Sequence, residues 1–271
     1  MHPDAYSLVD VAAPSALGRV TRFTEELVDD PDHPTTGYVE EFDYQHDPRD
    51  HGIARGSRLA TPIVSGSALL VKDYLLSAGH SWVNYPGRLH VIMLSMADRW
   101  HHYSGDHEKH GTDNYSGVGR FKLQPLKPGP DEAMRRWSMR TFAFSSSTEH
   151  QTWNPYDSPL PHDTEFVKCT TNIPQDHRSS TDLSNVDLAV VVREPVDGEC
   201  VEGQGLVVAA REDVSYGTKK MAAISSHDES HTLEGNCLEY RLLNRHVPDD
   251  EIQMVNNFCS VGTRQDYEPF R

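Results

Sequence analysis

Along the 271-residue chain the apolar positions come in short runs broken by Pro, Gly, Asn and Asp, not in long helical periods. The run Thr61-Pro62-Ile63-Val64-Ser65-Gly66-Ser67-Ala68-Leu69-Leu70-Val71, the charged pair Lys72-Asp73 and the run Tyr74-Leu75-Leu76-Ser77-Ala78-Gly79-His80 read as two strands joined by a turn. Trp137 to Phe144 alternates polar and bulky residues with period two. Val186 to Val192, Gly205 to Ala210 and Lys220 to Ser225 make the last third strand-dense. Short strands at such intervals predict an all-β barrel or sandwich. A short helix is expected near the C-terminus, where Pro248-Asp249-Asp250-Glu251 sets acidic residues ahead of Ile252 to Phe258. Residues 101 to 130 and the Pro-studded stretch from Asn154 to Pro174 read as long surface loops. Residues 1–57, with turn signals at Asp30-Pro31-Asp32-His33-Pro34 and His46-Asp47-Pro48-Arg49-Asp50, read as an N-terminal arm or pro-segment, leaving 58–271 as the folded domain.

Charge and composition narrow the partners. A formal net charge of −16, spread along the chain, makes a phosphate backbone an unlikely partner, so no nucleic acid is expected. No apolar run approaches the roughly 18 to 20 residues that span a bilayer, so no membrane partner is expected either. The start, Met1-His2-Pro3-Asp4-Ala5-Tyr6, shows no basic region followed by an apolar core, which points to a soluble protein, cytoplasmic more than secreted.

Cys169, Cys200, Cys237 and Cys259 form no CxxC pair. Two disulfides are arithmetically possible, while a non-secreted chain would keep free thiols. His101, His102, His107 and His110 are dense enough to bind a divalent ion, but Gly105 and Gly111 and the lack of a fixed ligand spacing favour a solvated loop. No metal or other cofactor is expected.

Three segments carry candidate chemistry. Ser77-Ala78-Gly79-His80 closes the first hairpin on an imidazole. In Ser184-Asn185-Val186-Asp187-Leu188-Ala189-Val190-Val191-Val192, an Asp is followed by five apolar residues and would be costly to bury unless paired. Thr232-Leu233-Glu234-Gly235-Asn236-Cys237-Leu238 offers a thiol after a Gly turn. In this order they resemble the histidine, aspartate and nucleophile segments of the chymotrypsin-like peptidases, most of all the glutamyl-endopeptidase-type and viral 3C-like enzymes. Together they cover perhaps a third of the chain.

That resemblance implies two six-stranded antiparallel β-barrels with long insertions. It implies an endopeptidase acting on a peptide or protein substrate, with Cys237 as nucleophile, His80 as base, Asp187 orienting it, and an acyl-enzyme intermediate. Backbone N–H groups of Gly235 and Cys237 would form the oxyanion hole, and Thr232 and His246 would line the pocket for a Glu or Gln side chain. Leu238 stands where the family has Gly, which leaves open a second reading: a peptidase-like domain without turnover that serves as a binding module.

Overall fold

The computed structural model describes residues 18–21, 51–54, 57–98, 120–121, 136–174, 184–214, 218–226, 232–249 and 251–262. The chain divides into two compact units, one of residues 13–65 and one holding the rest. In the smaller unit, β1 (Gly18–Thr21) pairs antiparallel with β2 (His51–Ala54), and helix α1 (Ser57–Ser77) begins. In the larger unit, a 3-10 turn (Ser81–Asn84) and α2 (Pro86–Ser95) follow, and β3 (Ala97–Asp98) pairs with β4 (Arg120–Phe121). Eight longer strands complete it: β5 (Trp137–Phe144), β6 (His150–Trp153), β7 (Phe166–Asn172), β8 (Asn185–Arg193), β9 (Val207–Asp213), β10 (Lys219–Ser225), β11 (Cys237–His246) and β12 (Gln253–Gly262).

These eight form two four-stranded antiparallel sheets, ordered β5-β12-β7-β10 and β6-β11-β8-β9. Among these eight strands the chain passes between the sheets at every connection except β8 to β9, which are consecutive and paired. That nesting of first strand beside last is the jelly-roll order. The expected all-β character holds for this part of the chain, but among the described residues the strands make two open sheets rather than two closed barrels.

Alternate residues of each strand meet between the sheets. Phe142, Phe144, Val167, Cys169, Val255, Cys259 and Val261 from the first sheet pack with Val186, Leu188, Val190, Val192, Leu238, Tyr240 and Leu242 from the second in one buried cluster. The outer face of the first sheet is covered too. Helix α2 lies against β7 and β12, with Thr170 donating from its hydroxyl to the Val91 carbonyl at 3.1 Å and Asn172 bonded to His90 at 3.1 Å. Gly87 sits so close to this face that a Cβ there would lie 2.6 Å from the Asn256 amide nitrogen. Every residue of β7 is therefore buried, polar ones included.

Three local expectations are overturned. The Thr61–His80 hairpin is instead the helix α1 and its C-terminal cap. Gly79 adopts φ +84°, its N–H reaches the Leu76 carbonyl at 3.0 Å, and the His80 N–H reaches the Leu75 carbonyl at 2.8 Å. This is the Schellman pattern that ends a helix at a left-handed glycine, so small residues before a histidine mark a helix stop here. The expected C-terminal helix is strand β12, flanked on both sides by β5 and β7; ahead of it the Glu251 N–H reaches the Pro248 carbonyl at 3.3 Å. The expected loop from Asn154 to Pro174 contains β7.

The cap makes a measurable claim. Gly79→Ala should destabilise the fold by about 1–2 kcal/mol, the cost of holding an L-residue in the left-handed region, read as a lowered midpoint in urea unfolding. An unchanged midpoint would remove the cap reading.

Candidate functional site

The sequence nominated His80, Asp187 and Cys237 together, and the structure gives each a different set of neighbours. The His80 ring lies on the outer side of the first sheet, 5.4 Å from Trp82 and 5.3 Å edge-on from Trp137, which in turn stacks on Phe258 at 5.7 Å. An imidazole packed among indoles in this way has an ordinary structural explanation.

Asp187 stands on β8 of the second sheet, 6% exposed. Its carboxylate pairs with Arg245 through Oδ2 and lies 3.5 Å from the Lys220 ammonium through Oδ1. The sequence argument that a buried Asp must be paired is correct, but the partners described are cations. Lys220 is fully buried, and that burial lowers its pKa from the usual lysine value, with Asp213 and Asp187 opposing the shift. Between the lowered folded value and 10.5 the unfolded chain binds the additional proton, so the contribution of Lys220 to stability rises with pH across that window. Below it the burial cost is present in full.

Cys237 is not a thiol. It is joined to Cys200, with Cα atoms 5.4 Å apart, and Cys169 is joined to Cys259, its direct partner across β7 and β12. The expectation of free thiols is corrected for all four cysteines, and a sulfur bound in a disulfide cannot attack a carbonyl. The proposed oxyanion hole is also occupied internally. The Gly235 N–H donates to the Leu160 carbonyl at 3.0 Å, and Leu160 donates back to the Asn236 carbonyl at 2.8 Å. Thr232 is exposed, its carbonyl accepting from the Asn236 amide at 2.7 Å, and His246 is exposed at the end of β11. The histidine-rich stretch from His101 to His110 lies outside the described residues; among those described, no cluster of His, Cys, Asp or Glu is arranged to hold a metal.

What the sequence did not reveal is a cavity of about 510 Å³ on the outer face of the second sheet. Its floor comes from β8, β9 and β11, with Glu202 and Gly203 of the β8–β9 loop in its wall. That loop is held down by the Cys200–Cys237 disulfide and by the Gly203 N–H on the Glu239 carboxylate at 2.6 Å. Glu239, 2% exposed, is balanced by Arg193 at 3.4 Å and by Arg241 beside it on the strand. Glu239 and Arg241 follow Cys237 at two-residue intervals, so the alternation that puts Leu238 and Tyr240 inside was a readable signal for a polar outer face.

No protein-family model matches the chain, and no curated protein is significantly similar to it. Partial likeness is found to three solved structures of infectious bursal disease virus. The Gx strain structure gives a TM-score of 0.26 at 10% identity, over 53% of this chain and 38% of that one. The T13 viral particle gives 0.26 at 12% identity, over 53% and 37%, and the Gt strain structure 0.22 at 10%, over 51% and 37%. The chain spans less than two fifths of the length of those proteins, and overlaps this weak bear on neither fold nor function.

Two measurements separate a structural from a catalytic role for these residues. Iodoacetamide should label none of the four cysteines until a reductant is added, as judged by mass spectrometry of the unfolded protein; rapid labelling of Cys237 in the native, unreduced chain would contradict the disulfide. Asp187→Asn should lower stability by about 3 kcal/mol, because it removes the carboxylate from a buried cation. A variant as stable as the parent would show that Asp187 is not needed by Lys220.

Proposed function

We propose that this chain is a non-catalytic assembly subunit, a jelly roll that packs against further copies of itself, as the subunits of viral coats do. Three uses of the jelly roll come into question: coat subunits, lectin domains and cupins. A fold alone does not choose among them. A cupin reading draws no support from the described residues, where the space between the sheets is filled by Phe144, Leu188, Tyr240 and their neighbours. The peptidase reading loses its nucleophile to a disulfide and its hole to the Leu160 carbonyl, so the non-catalytic alternative is the better supported of the two.

The observation that carries self-association is on α1. This helix buries Ser67, Val71 and Leu75 on one face and turns Leu69, Leu70 and Tyr74 outward, at 69%, 65% and 49% exposed. Leu70 and Tyr74, four residues apart, share one face, and large apolar side chains left exposed together mark an interaction surface. Among the described residues no helix is long and apolar enough to cross a membrane, and a protein surface is the partner such a stripe suits.

Sedimentation velocity of the purified chain over a wide concentration range tests this. Species larger than the 30.5 kDa chain should appear, and should grow with salt, because screening weakens repulsion between copies of net charge −16. Leu70→Asp with Tyr74→Asp should return the protein to the monomer. A parent chain that stays monomeric at every concentration and salt would defeat the proposal.

A further inference from the structure

Helix α1 holds a glycine that its own chain does not require. Gly66 lies well inside Ser57–Ser77, is exposed, and has no described atom within 4 Å of the place where a Cβ would stand. Its φ is not in the left-handed region, so neither crowding nor backbone geometry calls for glycine there. A glycine inside a helix costs stability relative to alanine. What it leaves is a notch in the outer surface of the helix.

The residues that follow give the notch a counterpart. Leu70 comes four positions after Gly66 and Tyr74 four after Leu70, so the three form one row on the helix surface. The row runs from small to large, with Leu70 and Tyr74 exposed at 65% and 49%. Turned end for end about Leu70 and laid on itself, it sets Tyr74 of each copy over Gly66 of the other. A row with a notch and a knob at equal distances from its centre is complementary to its own antiparallel copy. Charge permits the approach, because from Gly66 to Ser77 the helix holds one cation, Lys72, and one anion, Asp73, in a chain of net charge −16.

We propose that two copies join through an isologous, antiparallel pair of α1 helices, with Leu70 of each copy meeting on the two-fold axis and Tyr74 of each filling the notch at Gly66 of the other. This rests on the self-association proposed above and adds its partner surface, direction and register. Rows of residues four apart interdigitate in the commonest class of helix packing. The tyrosine ring covers the open helix surface at Gly66, while its hydroxyl stays at the wet rim.

The test uses the full chain, in which the native cysteines are all in disulfides, so one added cysteine reports on its own neighbours. Under mild oxidation Leu70→Cys should give a covalent dimer on a non-reducing gel. Gly66→Cys should not, because antiparallel copies hold the two positions about 12 Å apart along the axis. Gly66→Leu should weaken association about tenfold in sedimentation velocity by overfilling the notch, without lowering the urea midpoint, since leucine is the better helix former. Adding Tyr74→Ala to Gly66→Leu moves the bulk to the other side of the contact and should restore association, which a merely disturbed helix would not do. If Gly66→Cys cross-links as readily as Leu70→Cys, if Leu70→Cys does not cross-link, or if the double variant associates no better than Gly66→Leu, the pairing is refuted while self-association stands. A parent chain that never associates defeats both.

Discussion

The central strands of the first sheet, β7 and β12 from Val255 on, are buried on both faces, and much of the structure follows from that. The second sheet covers one side and α2 the other, so any polar side chain on β7 or β12 must find a partner or cost about 1–3 kcal/mol. Thr171, pointing inward, bonds to the Tyr240 hydroxyl of the opposite sheet, and both meet the Asn257 amide oxygen, Thr171 at 3.1 Å. This polar bridge sits in an otherwise apolar core. Burial raises the Tyr240 pKa, which keeps the phenol a neutral donor. Lys168, Thr170 and Asn172, pointing outward, bond to Ala97, Val91 and His90 and tie down α2 and the residues after it. One strand thereby fixes both its helix and its facing sheet.

The same constraint explains which strands could be read from the sequence. Trp137–Phe144, Val186–Val192, Gly205–Ala210 and Lys220–Ser225 all correspond to strands, because their apolar content shows in a short window. Phe166–Asn172 and Gln253–Gly262 did not look like strands, since Lys, Thr and Asn fill positions that a two-faced burial satisfies through side-chain hydrogen bonds. Only the tertiary partners reveal why such residues are tolerated there. Helix α1 failed for the opposite reason: Pro62, Ser65 and Gly66 look like strand punctuation, and the glycine stop at Gly79 serves equally as a turn before a strand or as a helix cap.

The candidate site divides along similar lines. The local inference about Asp187, that an acid opening an apolar run needs a counter-charge, holds because it rests on desolvation and is indifferent to topology. The assignment of that counter-charge to His80 depended on a remote arrangement. His80 instead rests against Trp137 of the first sheet, while Asp187 meets Lys220 and Arg245. For Cys237, the spacing of four cysteines left bridged and free states open, and only the approach of Cys200 in the β8–β9 loop decided between them.

That disulfide does more than remove a thiol. The loop from Glu194 to Leu206 leaves β8 and returns as β9, its base closed by the Glu194 N–H on the Leu206 carbonyl at 2.9 Å and its middle held by the Asn154 amide on the Cys200 carbonyl at 3.2 Å. The Cys200–Cys237 bond fastens it to the start of β11, and Gly203 donates to Glu239 two residues further along the same strand. Because side chains alternate along β11, Cys237, Glu239 and Arg241 all face the loop, so one short stretch of sequence supplies the anchor, the buried acceptor and the cavity floor. A bond that closes a 37-residue separation restrains the unfolded chain as well. The residue first nominated as nucleophile therefore shapes the outer face by covalent constraint: it fastens the loop that brings Glu202 and Gly203 into the wall of the cavity.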